Sequence, residues 1–375
     1  AWVGAITALL LATQGMVNGE IKKVLAYSTG SQIGYMMMAL GVAGLSHQYV
    51  DGYTAGFFHL ISHAMFKASL FMAAGSLLHI VGSRFMSDMG GLRKQMKKTY
   101  VFMWAAGLGL MGAPFITTGF WSKDAIFAAV YTSGNEWALP LYIIAVLTAV
   151  ITAFYTTRMI GMVFFGKKSK HIEKMEEEGH HIHEASPSMW IPYGILAVLT
   201  IGVGLIGLSA EEGLHHVFTD YLEHSFGIHS EHVANEASIL PGFLQGLNPV
   251  ALGSSLVAFA TGIGLGYIFY IGRWVDPVKF VNSNIVFYSI HKLFLNRWYL
   301  NAIIYWCFVV APLWLARGVF RYFEKTAIDY GMNDGVQKAV GWSAKVVQGT
   351  QTGVSQSYLF VFGAGLLFVV LILLI

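Results

Sequence analysis

Of 375 residues, 55% are hydrophobic and 11% charged, with a mean hydropathy of +0.59, which excludes an ordinary soluble domain and points to a membrane protein. The net charge of +3 gives no reason to expect a nucleic-acid partner. The single cysteine, Cys307, excludes a disulfide framework and any multi-cysteine metal or iron–sulfur site.

The chain opens on Ala1, with no basic start or small-residue cleavage site of a secretory leader. It is therefore expected to be cut from a longer product or to be one part of a split subunit. Apolar runs long enough for a hydrocarbon core of about 30 Å then recur. They cover residues 2–17 (short), 24–45, 53–81, 100–132, 139–165, 189–208, 252–271 and 358–375. The run 100–132 is about ten residues too long for one straight crossing. Its centre reads GAPFITTGFWSKD, in which Pro114 removes a helix donor and Gly112 and Gly119 weaken the helix.

Charge sets the topology. Lys and Arg cluster in 18–23, 82–99, 166–188, 272–297 and 317–345, whereas 46–52, 133–138 and 209–251 contain none. The last of these holds six acids and five histidines. The basic loops are thus expected inside and the acidic ones outside. On this partition 100–132 crosses once, as two half-helices joined by a loop. The apolar stretch 301–315 is expected not to cross, because crossing would put Arg317–Lys345 outside. The predicted fold is all-α: a polytopic membrane helix bundle with one discontinuous transmembrane helix and a long lateral amphipathic helix. Residues 293–352 would lie along the cytoplasmic face, with Trp298, Tyr299, Trp306 and Trp314 as interfacial residues. Residues 353–375 would form a final membrane anchor.

Three charged residues fall well inside spans: Lys67, Lys123 and Asp124. Charge at the bilayer centre costs on the order of 3 kcal/mol, so such residues face a polar interior and are candidates for function. The alternative is a buried ion pair that only fixes packing. His59, His63 and Lys67 recur every four residues in FHLISHAMFKASL, which puts them on one helix face about 6 Å apart along the axis. Two imidazoles and an amine joined by water can pass protons, since histidine exchanges a proton near neutral pH. Lys123 and Asp124 follow the helix break, where freed backbone at membrane depth lines a polar cavity. Ser122 and Thr118 offer further hydroxyls there. Adjacent on a helix, Lys123 and Asp124 point about 100° apart and need not pair. The loop EEEGHHIHE (176–184) and His215, His216, His224, His229 and His232 read as solvated polar connections rather than metal sites.

Four stretches carry a resemblance: NGEIKKVLAYSTGSQIGYMMMALG, FHLISHAMFKASLFMAAGSLLH, MGGLRKQM and GFWSKDAI. They resemble, in order, the antiporter-like subunits of respiratory complex I, and most closely the L type, the distal proton-pumping subunit of NADH:quinone oxidoreductases. The resemblance implies that 1–165 is most of the second antiporter-like repeat, and that 166–292 adds two transmembrane helices with a cytoplasmic and a long outer loop. It implies roles for Lys22 in EIKK, for His59, His63 and the central Lys67, and for the terminal Lys123 with Asp124. It also implies no cofactor in this chain, with flavin and iron–sulfur centres in partner subunits. The partners would be M- and N-type antiporter-like subunits and J- and K-type subunits, in a prokaryotic plasma membrane or a mitochondrial inner membrane. The first half of such a subunit is absent here. Two other readings stand beside this one: the A subunit of an Mrp-type sodium/proton antiporter, and a non-conducting brace of the membrane arm.

Overall fold

A computed structural model describes residues 1–44, 49–134, 136–209 and 247–374. Among them helices dominate, and the extended pairing is a single antiparallel bridge between Glu20 and Phe85. The all-α expectation holds. The acidic loop with its five histidines lies almost wholly outside the described residues.

The chain divides into two units, Ala1–Trp298 and Tyr299–Ile375. The first holds α1 (Trp2–Val17), α2 (Ile21–Ala43), α3 (Tyr49–Val81), α4 (Lys97–Met111), α5 (Thr118–Tyr131), α6 (Ala138–Phe164), α7 (Lys170–Glu177), α8 (Pro187–Ser209) and α9 (Pro249–Gly266). Two short helices, α10 (Pro277–Asn282) and α11 (Ile285–Leu295), end it. Helices are the natural solution here, because a span in hydrocarbon must satisfy its own backbone. The ends carry local signals: Asn248 caps α9 ahead of Pro249, and Asp276 caps α10 ahead of Pro277.

Helix α3 is central and packs on α2, α4, α5 and α8. Small residues let its neighbours approach closely. A Cβ on Gly4 would stand 2.4 Å from the Met38 nitrogen, and one on Gly34 would stand 2.6 Å from the Ala8 nitrogen. The α1–α2 contact is thus a glycine–alanine seam, the arrangement that substitutes for a hydrophobic drive between helices in lipid.

The predicted cytoplasmic ends are stitched by polar contacts. The Ile21 N–H donates to Arg84 O at 3.1 Å and the Met86 N–H to Gly19 O at 2.9 Å. The Glu20 carboxylate takes Lys23 and, at 3.4 Å, Arg84. The hydrogen bond from Lys23, helped by the charge of Arg84 and opposed by partial desolvation, holds the Glu20 carboxyl below the ordinary carboxylate range. In MGGLRKQM, Gly91 at φ +66° donates to Phe165 O at 3.2 Å and so ties this loop to the end of α6. Two carboxylates of EEEGHHIHE are spent on structure. Glu176 takes Lys168 at 2.7 Å and Gln95 at 2.8 Å, while Glu184 takes the Thr99 hydroxyl at 2.6 Å.

The second unit is helical from Leu300 to Thr350, with wide π-type turns at Trp306–Val310 and Phe320–Asp334, followed by a helix over Ser355–Leu373. The long helix starts at Leu300 rather than at 293. Arg297, Trp298 and Tyr299 all have φ of 55°, and three left-handed residues in a row end any helix arriving from α11. Among the described residues, six stretches are long and apolar enough to cross a membrane, namely Val50–Val81, Ala138–Phe164, Pro187–Ile206, Pro249–Ile271, Arg297–Thr350 and Ser355–Leu373. At 16 residues α1 is short for a span. Neither α4 nor α5 alone has the length.

Candidate functional site

The expected break is a real one. Helix α4 stops at Met111, where Gly112 turns left-handed at φ 78°, and α5 starts at Thr118 with the Thr117 hydroxyl capping the Phe120 N–H. Between them, Pro114 and the left-handed Phe115 (φ 64°) prevent helical continuation. The half-helices meet end to end. Gly119 packs directly on the Gly109 carbonyl, with no room for a Cβ.

The last carbonyls of a helix have no intrahelical partner and attract cations. Here the break leaves Leu110 O near the end of α4, and Lys123, folding back from α5, donates to it at 2.5 Å. This explains why a lysine is tolerated at this depth: the break that interrupts the helix also supplies its acceptor. Lys123 is 3% exposed, and no carboxylate lies within ion-pair distance of it among the described residues.

On α3, His59, His63 and Lys67 form the expected file, all buried. His59 and His63 have ring centroids 6.4 Å apart, and Phe66 stands edge-on to His63 at 5.5 Å. His59 is held at both nitrogens, with Nδ1 2.9 Å from Ser122 Oγ on α5 and Nε2 3.0 Å from Gln32 Oε1 on α2. His63 Nε2 is buried without a partner. Lys67 donates to the Ser28 hydroxyl and to Leu25 O, the latter at 3.3 Å, both on α2. Again the acceptors are neutral.

Asp124, 1% exposed, does not pair with Lys123. It turns instead towards α9, where Ser255 Oγ donates to its Oδ1 at 3.0 Å, leaving Oδ2 buried and unpartnered. The structure thus brings five of the six candidate residues into one region across α3 and α5. Lys22 stands apart, exposed on the first turn of α2 beside the Glu20–Lys23 pair.

Two features escaped the sequence reading. Ser28 and Gln32 complete the file; they are polar and four apart on α2, and that spacing was the available signal. Arg158 is a further buried charge, 8% exposed on α6, donating to Asn18 O at 2.8 Å with its guanidinium 5.6 Å from the Tyr270 ring. It lies well short of the end of its apolar run, which should have marked it beside Lys67 and Lys123.

Residues 1–152 match the family described as NADH:quinone oxidoreductase/Mrp antiporter, TM. These residues include the whole file and the broken helix. The matched segment, residues 1–152, belongs to this antiporter-like family. It is 34% identical to NAD(P)H-quinone oxidoreductase chain 5 of a Picosynechococcus species, over 99% of this chain and 55% of that protein. It is 31% identical to the F(420)H(2) dehydrogenase subunit L of Methanosarcina mazei, over 100% of this chain and 55% of that protein. A solved chain from the Mrp complex of a Dietzia species superposes with a TM-score of 0.56 at 25% identity, covering 93% of this chain and 33% of that one. The chain spans about half the length of the curated relatives it matches. Its apolar helices and its family make it an integral membrane protein.

Proposed function

We propose that this chain is the second half of a proton-translocating, L-type membrane-arm subunit of a complex I-type oxidoreductase. The observation that carries this reading is the pair of buried lysines, Lys67 and Lys123, whose acceptors are backbone carbonyls and one hydroxyl. A lysine kept only to lock helices together would be matched by a carboxylate, since an uncompensated buried charge is strongly unfavourable. An amine among neutral acceptors is suited to gaining and losing a proton. In this reading Lys67 is the carrier at the inner end of the file, and protons pass from it along His63 and His59, beside Gln32 and Ser122, to Lys123 and Asp124 on the broken helix. A bridging water spans the 6.4 Å between the two imidazoles. Lys22 serves at the cytoplasmic approach.

Electron transfer takes place in partner subunits, which hold the flavin and iron–sulfur centres, and this chain supplies the ion path. The remaining membrane-arm partners are of M, N, J and K type. The electron donor is NADH, a deazaflavin or ferredoxin. The membrane is a prokaryotic plasma membrane. Residues 293–352 lie along its cytoplasmic face.

A second reading, an Mrp-type sodium/proton antiporter subunit, is supported by the likeness to the Mrp complex chain. The test is Lys123→Ala in the assembled complex reconstituted into vesicles. Loss of proton translocation driven by electron transfer is expected. Unchanged proton yield per electron would refute the role, and sodium-dependent exchange without electron transfer would favour the second reading.

A further inference from the structure

The proposed path ends at Asp124, and its continuation lies on residues that neither the family motifs nor the file include. Asp124 Oδ1 accepts from Ser255 on α9, and its Oδ2 is buried with no partner. Beside Ser255 on the same helix, Ser254 Oγ stands 2.5 Å from the hydroxyl of Tyr142 on α6 and donates to Ala251 O at 2.9 Å. Tyr142 OH likewise reaches Val250 O at 3.0 Å, so each of the two hydroxyls has a backbone carbonyl and the other hydroxyl as alternative acceptors for its one hydrogen.

Burial grades along this line. Ser255 is 8% exposed and Tyr142 7%, Ser254 is intermediate, and Val250, whose carbonyl ends the line, is 44% exposed. Tyr131, 43% exposed, lies against the Tyr142 ring with centroids 5.4 Å apart. Tyr142 is in the second turn of α6, and Ser254 and Ser255 are in the second turn of α9. Both of those helix ends adjoin the loops that the charge distribution places outside.

We infer that Ser255, Ser254 and Tyr142 form a hydroxyl relay that carries the proton from Asp124 to the outer face. This rests on the proton-translocating reading above. The hops are concerted: Asp124 ends as a carboxylate, the outer water ends as hydronium, and each hydroxyl between them ends neutral. Asp124, once protonated, gives its proton to the Ser255 oxygen as Ser255 releases its own hydrogen onward. Water links Ser255 to the Ser254–Tyr142 pair, since neighbouring residues on a helix do not face each other. The phenol then passes a hydrogen to water at the outer mouth, and rotation of the hydroxyls resets the chain. Three hydroxyls suit an outlet, because each both donates and accepts and none holds a net charge in the bilayer.

The test compares Tyr142→Phe, Ser255→Ala and Ser255→Thr with Lys123→Ala in the reconstituted complex. The readouts are proton yield per electron and the solvent deuterium isotope effect on translocation. Tyr142→Phe and Ser255→Ala are expected to lower the yield several-fold and enlarge the isotope effect, while Ser255→Thr keeps both near wild type. Wild-type yield and isotope effect in Tyr142→Phe, with Lys123→Ala defective, would overturn the relay and leave the path to Asp124 standing. Wild-type behaviour in all variants, Lys123→Ala included, would overturn the underlying reading instead. If Tyr142→Phe fails to assemble, Ser254→Ala takes its place, with the same two outcomes.

Discussion

His59 on α3 and Ser122 on α5 share a hydrogen bond of 2.9 Å, which joins the file on the continuous helix to the second half of the broken one. With Gln32 at the other ring nitrogen, His59 is a junction of three helices. A movement of α5 is therefore felt at the imidazole, and a change of imidazole tautomer is felt at the helix carrying Lys123 and Asp124.

Removing that link should weaken translocation without undoing the fold. A buried hydrogen bond contributes about 1 kcal/mol, so Ser122→Ala is expected to slow translocation roughly five-fold. Ser122→Thr keeps the hydroxyl and should stay near wild type. Vesicle acidification driven by electron transfer measures both. Equal rates in wild type and Ser122→Ala would remove Ser122 from the path.

The end-to-end contact of the half-helices makes a steric prediction. A Cβ on Gly119 would fall 1.8 Å from Gly109 O, and the obstacle is backbone rather than a flexible side chain. Gly119→Ala must push α5 away from α4, at a cost of about 1–3 kcal/mol or more, and it displaces Lys123 from Leu110 O. Reduced assembly on native gels and lost pumping are expected together. Gly253→Ala meets nothing within 4 Å and serves as the control.

Much of this arrangement is legible in the sequence because membranes simplify the problem. Apolar length marks the spans, and the proline between glycines in GAPFITTGF marks the break, which the structure places between Met111 and Thr118. Charge in lipid is costly enough that Lys67, Lys123 and Asp124 announced themselves. Most of what stayed hidden is uncharged. Gln32, Ser28 and Ser255 act through positions set by helix packing, and a serine or glutamine in an apolar run is ordinary in composition. Arg158 was obscured for another reason: the run 139–165 is longer than one crossing needs, so a charge in its last turns reads as flanking. The start of the long second-unit helix was also misjudged, because nothing in LFLNRWYLN requires three consecutive left-handed residues.

The stitch between the start of α2 and the turn after α3 should respond to acid. The Glu20 carboxyl is held below its ordinary value of 4.5 by Lys23 and Arg84, so its contribution is complete above that value. It is lost as pH falls through the lowered folded-state value. Amide hydrogen exchange at Ile21 and Met86, corrected for the intrinsic pH dependence, should be slow and constant above about pH 5 and accelerate in stronger acid. Glu20→Gln should exchange faster at neutral pH and show no acid transition.

The expected placement of 293–352 along the inner face can be tested by labelling. Cys307 is the one native cysteine and is exposed, so it is first replaced by serine. Single cysteines at Ser283 and Asp334 should then react with an impermeant thiol reagent from the same side of the membrane. Opposite-side reactivity would mean that the long helix crosses.

The sharpest prediction concerns Lys67, because its partners distinguish a proton carrier from a fixed charge. It donates to the Ser28 hydroxyl and to Leu25 O, and neither acceptor needs a permanent cation. Lys67→Ala removes the carrier and should lower proton translocation by on the order of a hundred-fold or more, the scale of losing a positioned acid–base group. Lys67→Arg keeps the charge, but a guanidinium does not release its proton at working pH, so it should not restore pumping. His59→Ala and His63→Ala should each be milder, because water can occupy the space of one imidazole and bridge its neighbours. The ordering is the claim: loss of the lysine is worse than loss of either histidine, and arginine does not rescue. Proton translocation in vesicles, with assembly checked on native gels, measures it. A fully active Lys67→Arg complex would make Lys67 a fixed positive charge, and the proton would have to reach His63 by another route.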